Sequence, residues 1–419
     1  MSMSAPPKTR RLPGHPYAGV LANKHVRRLY LGFFIASLGA GLSVVAVPWL
    51  ALEIAGSVNR AFAVAAAGTA AFLPGIPVSL VAGLRRWRIP SKTVLLVDAA
   101  LRVVCFGVIG GLALTHQLAL GPYLLILAVS SLTRSLAAGA RRTAIDELIR
   151  PEQRLAANSL LGFSIQLGID VLGPVTGGLL VAGPGAGVTL LAYAGSSGVL
   201  YVLALTLPAA ARPDREPEAA KLSLLRSVPS IVLWLMAVTF LFNLLYGPID
   251  VGLPIFVQNS LGHGSKLYGQ LFAVFGVGSL VGGLAVGALR HERVTQWVTV
   301  LSIIGWGGAA LLLSVAHSPA VALIAFGFGG LLYGPFIAAS VSAIQGATPP
   351  SEQGPVMALW ATLTLGALPF GTLVGGPMVA GLGTRGTFAL CGILTLALGV
   401  VTLGKVVTSE RSKRVAPSA

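Results

Sequence analysis

One stretch of the chain, at residues 166–178, reads Q-L-G-I-D-V-L-G-P-V-T-G-G and is flanked on both sides by long apolar runs. It combines an ionisable Asp170, a helix-breaking Pro174 and four glycines. Residues spaced i, i+3, i+4 and i+7 share one face of a regular helix. That face carries Asn158, Gly162, Gln166, Asp170, Gly173 with Pro174, and Gly177. Small residues let a second backbone approach closely, so the stretch predicts a helix that packs within a bundle and directs Asp170 toward protein or a cavity, not toward lipid.

The composition of the chain indicates an integral membrane protein. Hydrophobic residues make up 55% of its 419 residues and charged residues only 10%, whereas an ordinary soluble domain is about 25% charged. A soluble core with this composition would leave large apolar patches exposed to water, so a bilayer is the better solvent. The net charge of +16 does not indicate a nucleic-acid partner, because the basic residues stand in short clusters between apolar segments.

Twelve apolar segments are long enough to cross the hydrocarbon core of a bilayer, which takes about 20 residues. They lie at 29–52, 61–83, 93–114, 119–140, 155–181, 187–210, 229–257, 267–289, 294–316, 319–346, 355–381 and 386–406. The longest polar connector follows the sixth segment. We therefore expect a basic tail at 1–28, a six-helix bundle at 29–210, a linker at 211–228, a second six-helix bundle at 229–407 and a tail at 408–419.

Lysine and arginine residues are distributed unequally between the two sides of these segments. Of the 29 in the chain, 24 lie in the tails, the linker and the loops on the same side, and three lie in the loops on the other side. The positive-inside rule then places both termini in the cytoplasm. The distribution predicts a multi-pass protein of the cell membrane.

The two halves of the chain repeat each other. The stretch V-P-W-L-A-L-E-I-A-G-S (47–57) is similar to L-P-I-F-V-Q-N-S-L-G-H (253–263), and G-P-V-T-G-G (173–178) is similar to G-T-L-V-G-G (371–376). Parallel repeats about an axis normal to the membrane place a substrate site between the halves near the midplane. The sequence thus predicts an all-α membrane protein with twelve transmembrane helices, in two six-helix bundles related by a pseudo-twofold axis.

Five motifs carry a resemblance to a known family. They are N-K-H-V-R-R-L-Y-L-G-F-F-I-A-S-L-G (23–39), P-W-L-A-L-E-I-A-G-S (48–57), G-A-R-R-T-A-I-D-E-L-I-R-P-E-Q-R-L-A-A-N-S-L (139–160), G-P-V-T-G-G-L-L (173–180) and G-P-I-D-V-G-L-P-I-F-V (247–257). The chain resembles the major facilitator superfamily, and within it the group that contains macrolide-efflux proteins and the enterobactin exporter. The resemblance implies alternating access and, for this group, mostly efflux driven by a proton gradient.

The residues Gly173, Pro174, Gly177 and Gly178 resemble the antiporter motif on helix 5 of drug/proton exchangers in this superfamily. There the motif shapes a helix that seals against the opposite half. The match is partial, because Gly168 stands five residues before Gly173 where the family motif has four. A close helix crossing without chemistry explains the same residues, so both interpretations stay open.

Asp170 is the first candidate for proton coupling. Holding an ionised carboxylate at the bilayer centre costs roughly 2.5–3.5 kcal/mol, so such residues usually mark transport pathways or proton relays. A carboxyl group whose hydration changes with access can take up a proton on one side and release it on the other. The alternative is a neutral Asp170 that is hydrogen-bonded within the bundle.

Two further ionisable residues are candidates for proton coupling, Asp250 and Arg134. Asp250 lies in the outer half of its helix, where a solvated vestibule explains it equally well. Arg134 either extends to the interface or pairs with Asp98, Asp170 or an anionic substrate group. Arg102 follows Asp98 by four residues, and this spacing predicts a local ion pair between them.

Candidate substrate-binding residues are the polar and aromatic side chains of the central helices. They are Gln166, Asn243, Tyr246, Phe34, Tyr333 and Trp360. An apolar cavity with few polar groups suits a hydrophobic, weakly cationic compound. Lipid-facing packing is the alternative for each aromatic residue.

The loop G-L-R-R-W-R-I-P-S-K (83–92) matches only part of the family's cytoplasmic gate motif. Gly83, Arg85 and Arg86 retain its glycine and basic residues, but its acidic residue is absent. In relatives that acid helps to lock the gate. The lock on this gate must therefore be weaker in this chain or made by other residues.

The sequence does not indicate an enzyme. Its six histidines fall in tails, loops or segment ends, and it contains neither a paired-histidine metal motif nor a phosphate-binding loop. We therefore expect no catalytic residues, no cofactor and no metal. The expected partners of the chain, which we expect to be a monomer, are a small-molecule substrate, protons and membrane lipids.

Three kinds of transport stay open. Proton-coupled export of a drug, antibiotic, siderophore or other natural product fits the helix-5 motif best. Flipping of lysophospholipids or other lipids is the alternative, since a related facilitator group does this with a similar apolar cavity. Metabolite uptake fits worst, because such cavities need more hydrogen-bonding residues than the sequence offers.

Overall fold

The computed structural model describes residues 16–85, 87, 89–207, 230–287, 292–349 and 352–415. Within these ranges the chain is helical and contains no strand. Eleven of the described segments are long and apolar enough to cross a membrane. The last, Gln353–Val415, is interrupted at Gly383, whose φ of 68° lies in the left-handed region that glycine adopts without strain. That segment therefore forms two helices, and the described ranges contain twelve spans.

The spans are numbered in chain order after a short helix, Pro16–Leu21. They are α1 (Lys24–Glu53), α2 (Arg60–Ala70 and Gly75–Leu84), α3 (Ser91–Leu114), α4 (Leu120–Ser131 and Arg134–Asp146), α5 (Arg154–Gln166, Leu167–Leu172 and Gly173–Ala182), α6 (Ala186–Leu205), α7 (Ser230–Ile255 and Phe256–Ser260), α8 (Ser265–Gly287), α9 (Glu292–Ser314), α10 (Pro319–Gly346), α11 (353–382) and α12 (384–415). The predicted all-α membrane protein with twelve transmembrane helices is confirmed.

The domain boundaries stay a prediction. The linker at 211–228 and residues 1–15 of the N-terminal tail lie outside the described residues. Around the described bundle, large apolar side chains such as Leu125, Leu284 and Ile324 are each at least 65% exposed. Exposure on this scale is unusual for a soluble monomer and is expected where helices face acyl chains.

Local sequence explains two interruptions of the spans. In α2 the interruption covers residues 71–74 and overlaps L-P-G-I-P (73–77), where two prolines each remove a backbone donor. In α5 a π-turn occupies Leu167–Leu172. Pro174 cannot donate to the carbonyl of Asp170, and its ring would clash with that carbonyl in a regular helix. The helix therefore widens immediately before Pro174.

In the first half, the glycines of the helix-5 motif pack against α1. A Cβ atom added to Gly173 would collide with the backbone of Gly41, and one added to Gly177 would lie 3.1 Å from the Cα of Leu42. The two helices approach this closely because neither glycine carries a side chain.

The second half repeats this contact between α11 and α7. A Cβ atom added to Gly371 would lie 3.0 Å from the Cα of Gly247, and one added to Gly375 would lie 2.8 Å from the Cα of Pro248. Residues that the sequence repeat pairs therefore make equivalent contacts in the two halves.

The two halves contact each other at one end of the molecule. We call the end with the α1–α2, α5–α6, α7–α8 and α11–α12 loops the far end, and the end where α1 and α7 begin the basic end. At the far end, Ser265 Oγ donates a hydrogen bond of 3.2 Å to the carbonyl of Gly178. Arg60 Nη1 donates one of 3.2 Å to Gln258 Oε1. These contacts close the far end.

Toward the basic end, α5 leaves the opposite half. Asn158 and Gly162 are exposed, and within the described ranges no heavy atom lies within 4 Å of a Cβ added to Gly162. On the same segment, Leu155 is 82% exposed. The conformation is therefore closed at the far end and open at the basic end.

Candidate functional site

A cavity of about 210 Å³ lies between the two halves. Its walls come from α1, α2, α3, α4 and α5 on one side and from α7, α8 and α11 on the other, and most of the lining side chains are apolar. The polar ones are Ser43, Ser130, Arg134, Tyr246, Asp250, Tyr268 and Thr372. Three predicted site residues, Arg134, Asp250 and Tyr246, therefore line one cavity, and they come from different halves.

Arg134 reaches the cavity because α2 and α4 are interrupted side by side. The first segment of α4 ends at Ser131 and the second begins at Arg134, and Gly75 of α2 packs directly on the carbonyl of Ser131. Phe72, in the interruption of α2, has its ring centroid 4.0 Å from Arg134 Cζ. This is a cation–π contact, in which the ring face attracts the guanidinium charge.

Arg102 and Asp98 form the ion pair that their spacing predicts. Arg102 donates to both carboxylate oxygens of Asp98 at 2.9 Å and to the hydroxyl of Tyr193 at 2.6 Å. Thr133 Oγ1 donates to Asp98 Oδ1 at 2.7 Å. Asp98 is buried and bound on both oxygens, so it is not available to Arg134.

Asp170 lies at the seam between α5 and α8 and not in the cavity lining. A Cβ added to Gly276 of α8 would collide with the Asp170 carbonyl and would lie 3.0 Å from the Asp170 Cβ. The regular periodicity predicted that these residues of α5 share one helix face, and in the structure they do not. Asp170 and Gly178 contact α8 while Gly173 contacts α1, because the extra residue of the π-turn rotates the rest of α5.

Three tyrosine side chains lie within electrostatic range of the two carboxyl groups. Asp170 is close enough to interact electrostatically with Tyr246 and Tyr333, and Asp250 with Tyr246 and Tyr268. Neither carboxyl group makes a hydrogen bond or ion pair with any residue that the structure describes. Tyr246 is thus the neighbour that the two candidate proton carriers share.

Three predicted substrate-binding residues make bonds within the protein. Gln166 Nε2 donates to Ser279 Oγ at 3.3 Å, which joins α5 to α8. Asn243 Nδ2 donates to the carbonyl of Thr239 at 2.8 Å, and Tyr333 donates to Asn243 Oδ1 at 3.1 Å. These side chains tie helices together, and their predicted contact with substrate stays a prediction.

The remaining predicted residues lie away from the cavity. Phe34 on α1 and Trp360 on α11 are half-buried and do not line it, and Trp360 packs with Val232 and Val356 in a separate apolar cluster. Gly83 belongs to the second segment of α2, and Arg85 follows it on the exposed surface. Arg86 lies outside the described residues.

Sequence reasoning missed Phe72, Tyr268 and Thr372 as lining residues. One signal was available for Phe72, because the L-P-G-I-P stretch that follows it indicates an interrupted helix. For Tyr268 and Thr372 no local pattern distinguishes a cavity-facing side chain from a packed one. Their placement depends on how the two halves meet.

Comparison with known proteins agrees with this architecture. A family model described as Major Facilitator Superfamily matches residues 29–299 and 292–419. The chain is 30% identical over 407 residues to a protein of Mycobacterium tuberculosis (strain ATCC 25618 / H37Rv) named multidrug efflux pump Tap, covering 89% of this chain and 90% of that protein. A Mycolicibacterium fortuitum protein of the same name is 26% identical over 386 residues, covering 88% of this chain and 92% of that protein.

Solved structures share the fold at low sequence identity. The nucleoside transporter NupG superposes with a TM-score of 0.68 at 13% identity, over 90% of this chain and 98% of that one. The human organic anion transporter MFSD10 (TETRAN) superposes with a TM-score of 0.62 at 17% identity, over 93% of this chain and all of that one, 100%. At these identities the likeness shows the fold alone.

Proposed function

The chain belongs to the Major Facilitator Superfamily of membrane transporters, and from this premise we propose that it exports hydrophobic or amphiphilic small molecules in exchange for protons. Relatives that match this chain over 88–89% of its length are named multidrug efflux pumps, which supports export of drug-like compounds. The proposal makes the protein a secondary active transporter of the cell membrane, with both termini in the cytoplasm.

The observation that carries the proposal is the cavity between the halves together with the conformation around it. The cavity is mostly apolar, contains Arg134 and Asp250, and lies behind a far end that Gly178 and Ser265 close. A binding site sealed at one end and approached from the other is what one half-cycle of alternating access requires. The opposite half-cycle breaks the far-end contacts and closes the basic end.

In the proposed cycle, Asp170 carries the proton. In the far-end-closed conformation its backbone carbonyl and Cβ pack against Gly276 and the residue is half-buried at the seam, where an ionised carboxylate loses part of its hydration at a cost. Protonation removes that cost and favours closure of the far end. After the proton is released to the cytoplasm, the ionised carboxylate favours separation of α5 from α8, which opens the far end and exports the substrate.

Asp250 and Arg134 complete the proposed site from the cavity side. Asp250 lines the cavity and lies within electrostatic range of Tyr246, which is also within range of Asp170, so Tyr246 connects the cavity to the proposed proton carrier. Arg134 supplies a positive charge to the cavity. The two residues thus link occupancy of the cavity to the protonation of Asp170.

Proteoliposome transport tests the proposal. The full-length protein is reconstituted, a pH gradient is imposed, and movement of fluorescent amphiphiles is followed for the wild type, Asp170→Asn, Asp250→Asn and Arg134→Ala. A lysophospholipid probe measured in parallel tests the lipid-flipping alternative. Glu53→Gln is the matched control, because it removes an exposed carboxyl group at the end of α1.

We expect gradient-driven transport in the wild type and in Glu53→Gln, and only gradient-independent movement in Asp170→Asn at an unchanged yield of folded protein. Equal rates with and without the gradient in the wild type would contradict proton coupling. Normal coupling in Asp170→Asn would transfer the proton-carrying role to Asp250 or to another group.

A further inference from the structure

The positive charge of Arg134 is unbalanced inside the cavity. Its guanidinium makes no hydrogen bond or ion pair with any residue in the described ranges, and its one close partner is the ring of Phe72, at 4.0 Å. A cation at membrane depth is costly unless it is paired, so an unpaired one indicates a missing anion. The cavity that Arg134 lines is where that anion can be bound.

Asp98, the acidic residue within electrostatic range of Arg134, is already paired. Asp98 receives two hydrogen bonds from Arg102 and a third from Thr133. Arg134 and Arg141 both lie within electrostatic range of Asp98 and Arg102. Three guanidinium groups therefore lie within electrostatic range of one carboxylate, and this region of α3 and α4 carries an excess of positive charge.

Arg141 shows the same imbalance. Its Nε is buried without a hydrogen-bond partner in the part of the chain that the structure describes, and its charge rests over the ring of Phe33 at 5.8 Å. Aromatic rings thus take the place of carboxylates beside both arginines. A ring attracts a cation only weakly compared with a bidentate carboxylate, which leaves the guanidinium of Arg134 able to bind a stronger partner.

The carboxyl groups of the other half do not fill this role. Asp250 lines the same cavity, yet it forms no ion pair with Arg134 among the described residues, and Asp170 lies outside the lining. Asp170 would also lose its charge at the protonation step of the proposed cycle. The partner of Arg134 is therefore expected to enter with the substrate.

We propose that the transported compound is an amphiphile with one acidic group, which Arg134 binds through its guanidinium while an apolar body fills the rest of the cavity. This substrate class deepens the proposed export function and rests on it. It differs from the weakly cationic compound that the apolar lining alone predicts. A carboxylate, sulfonate or phosphate group satisfies the geometry of a guanidinium equally well.

The size of the cavity limits the apolar body. Sites for drug-sized ligands measure roughly 300–1,000 Å³, whereas this cavity is about 210 Å³. A compound with one or two fused aromatic rings fits within it, and a larger one extends toward the open basic end. Phe72, Phe106 and Phe272 in the lining offer ring faces to an aromatic body.

Equilibrium binding to the purified full-length protein in nanodiscs tests the proposal without a gradient. The probes are 1-naphthaleneacetate, its neutral amide 1-naphthaleneacetamide, and the cation 1-naphthylmethylammonium, which share one aromatic body. The expected order is acid, then amide, then cation, with the acid binding about tenfold or more tighter than the amide, as a hydrogen bond to a charged group provides. A lysophosphatidate probe distinguishes a lipid from a small aromatic acid as the source of the acidic group.

Three variants assign the preference to one residue. Arg134→Gln should bind the acid and the amide equally, and Arg134→Lys should keep most of the preference because it keeps the charge. Arg142→Gln, which removes an exposed cation elsewhere on α4, should bind like the wild type. Size-exclusion profiles confirm that each variant is folded.

The proposal is overturned if the wild type does not bind the acid, if the cation binds more tightly than the acid, or if Arg134→Gln keeps the preference of the wild type. Tighter binding of lysophosphatidate than of the aromatic acid, lost in Arg134→Gln, supports the site with a lipid as its occupant. Because no gradient is applied, a failure of proton coupling leaves these binding results unchanged, so the two proposals fail separately.

Discussion

The seam between α5 and α8 and the seam between α2 and α11 occupy equivalent places between the two halves, but in the part of the chain that the structure describes only the first contains a carboxyl group. In the α5–α8 seam, Gly178 packs against Ser265 and Asp170 packs against Gly276. The contact between Gly178 and Ser265 is backbone on backbone, with 2.8 Å from an added Cβ to the serine carbonyl. In the proposed cycle, the Asp170 carboxyl group therefore becomes less or more hydrated as this seam closes or opens.

The α2–α11 seam uses neutral groups in the same positions. A Cβ added to Gly376 would lie 3.0 Å from the Cβ of Ala65, and the hydroxyls of Thr69 and Thr372 are 3.2 Å apart. Leu368 stands where the offset between the repeated motifs would place the counterpart of Asp170. Duplication has kept the close packing of both seams, while the proposed proton chemistry is confined to one of them.

A large side chain placed in a close helix contact within one half should cause the largest loss of stability, and this loss should be similar in the two halves. Gly173→Leu and Gly371→Leu each place a side chain against a neighbouring backbone, so we expect losses of about 1–3 kcal/mol or more in the free energy of unfolding. Gly162→Leu, on the same helix as Gly173 but with open space around it, is the control. Thermal unfolding of the purified proteins measures the difference. Unequal losses for Gly173 and Gly371 would show that the two contacts are not equivalent.

A larger side chain placed between the two halves should have an intermediate effect, which is to open the far end. The extent of opening should differ between the two seams. In Gly178→Val the new side chain meets the backbone of Ser265 and Gly269, whereas in Gly376→Val it meets the side chains of Ala65 and Phe62. Side chains adapt more readily than backbone, so Gly178→Val should open the far end more. Labelling of Ser43→Cys in the cavity by a membrane-impermeant maleimide, applied from the far side, reports opening. Faster labelling in Gly376→Val would reverse the comparison.

Removing single hydrogen bonds across the seams should produce the smallest effect. Gln166→Ala breaks the bond to Ser279, and Thr69→Val breaks the contact with Thr372. A neutral hydrogen bond contributes about 0.5–1.5 kcal/mol, so both variants should fold, transport, and label only slightly faster than the wild type in the same assay. A large loss from Thr69→Val alone would give the neutral seam the controlling role.

Sequence periodicity was sufficient to predict the features that depend only on the spacing of residues along the chain. It predicted the twelve spans, the repeat that relates Gly173 to Gly371, and the ion pair of Arg102 with Asp98. These features depend on segment length, on side-chain size and on an i, i+4 spacing, all of which can be read from a single helix.

Features that depend on interrupted helices could not be predicted in the same way. The π-turn before Pro174 rotates Asp170 away from the face of Gly173, and two adjacent interruptions bring Phe72 to Arg134. A pattern based on a regular helix assumes a constant angle per residue, which fails at each interruption. The partners of Gln166 and Asn243 likewise depend on how separate helices meet.

The central claim is that the proton on Asp170 determines which end of the transporter is closed. Distances between two spin labels, measured by electron–electron double resonance, test this claim most directly. The labels are attached to a variant in which Cys105 and Cys391 are replaced by alanine. One label pair, Ser57→Cys with His263→Cys, spans the far end, and a second, Thr143→Cys with Ser342→Cys, spans the basic end; all four positions are exposed. The first pair joins residues that the repeated stretches 47–57 and 253–263 align, and the second joins the basic ends of α4 and α10.

These distances are measured in acidic and alkaline buffer for the labelled protein with Asp170 intact and for Asp170→Asn. With Asp170 intact, acidification should shorten the far-end distance and lengthen the basic-end distance, because protonated Asp170 favours the closed seam with α8. Asp170→Asn should show the acidic distances in both buffers. A pH response that survives in Asp170→Asn, or no response with Asp170 intact, would contradict the account.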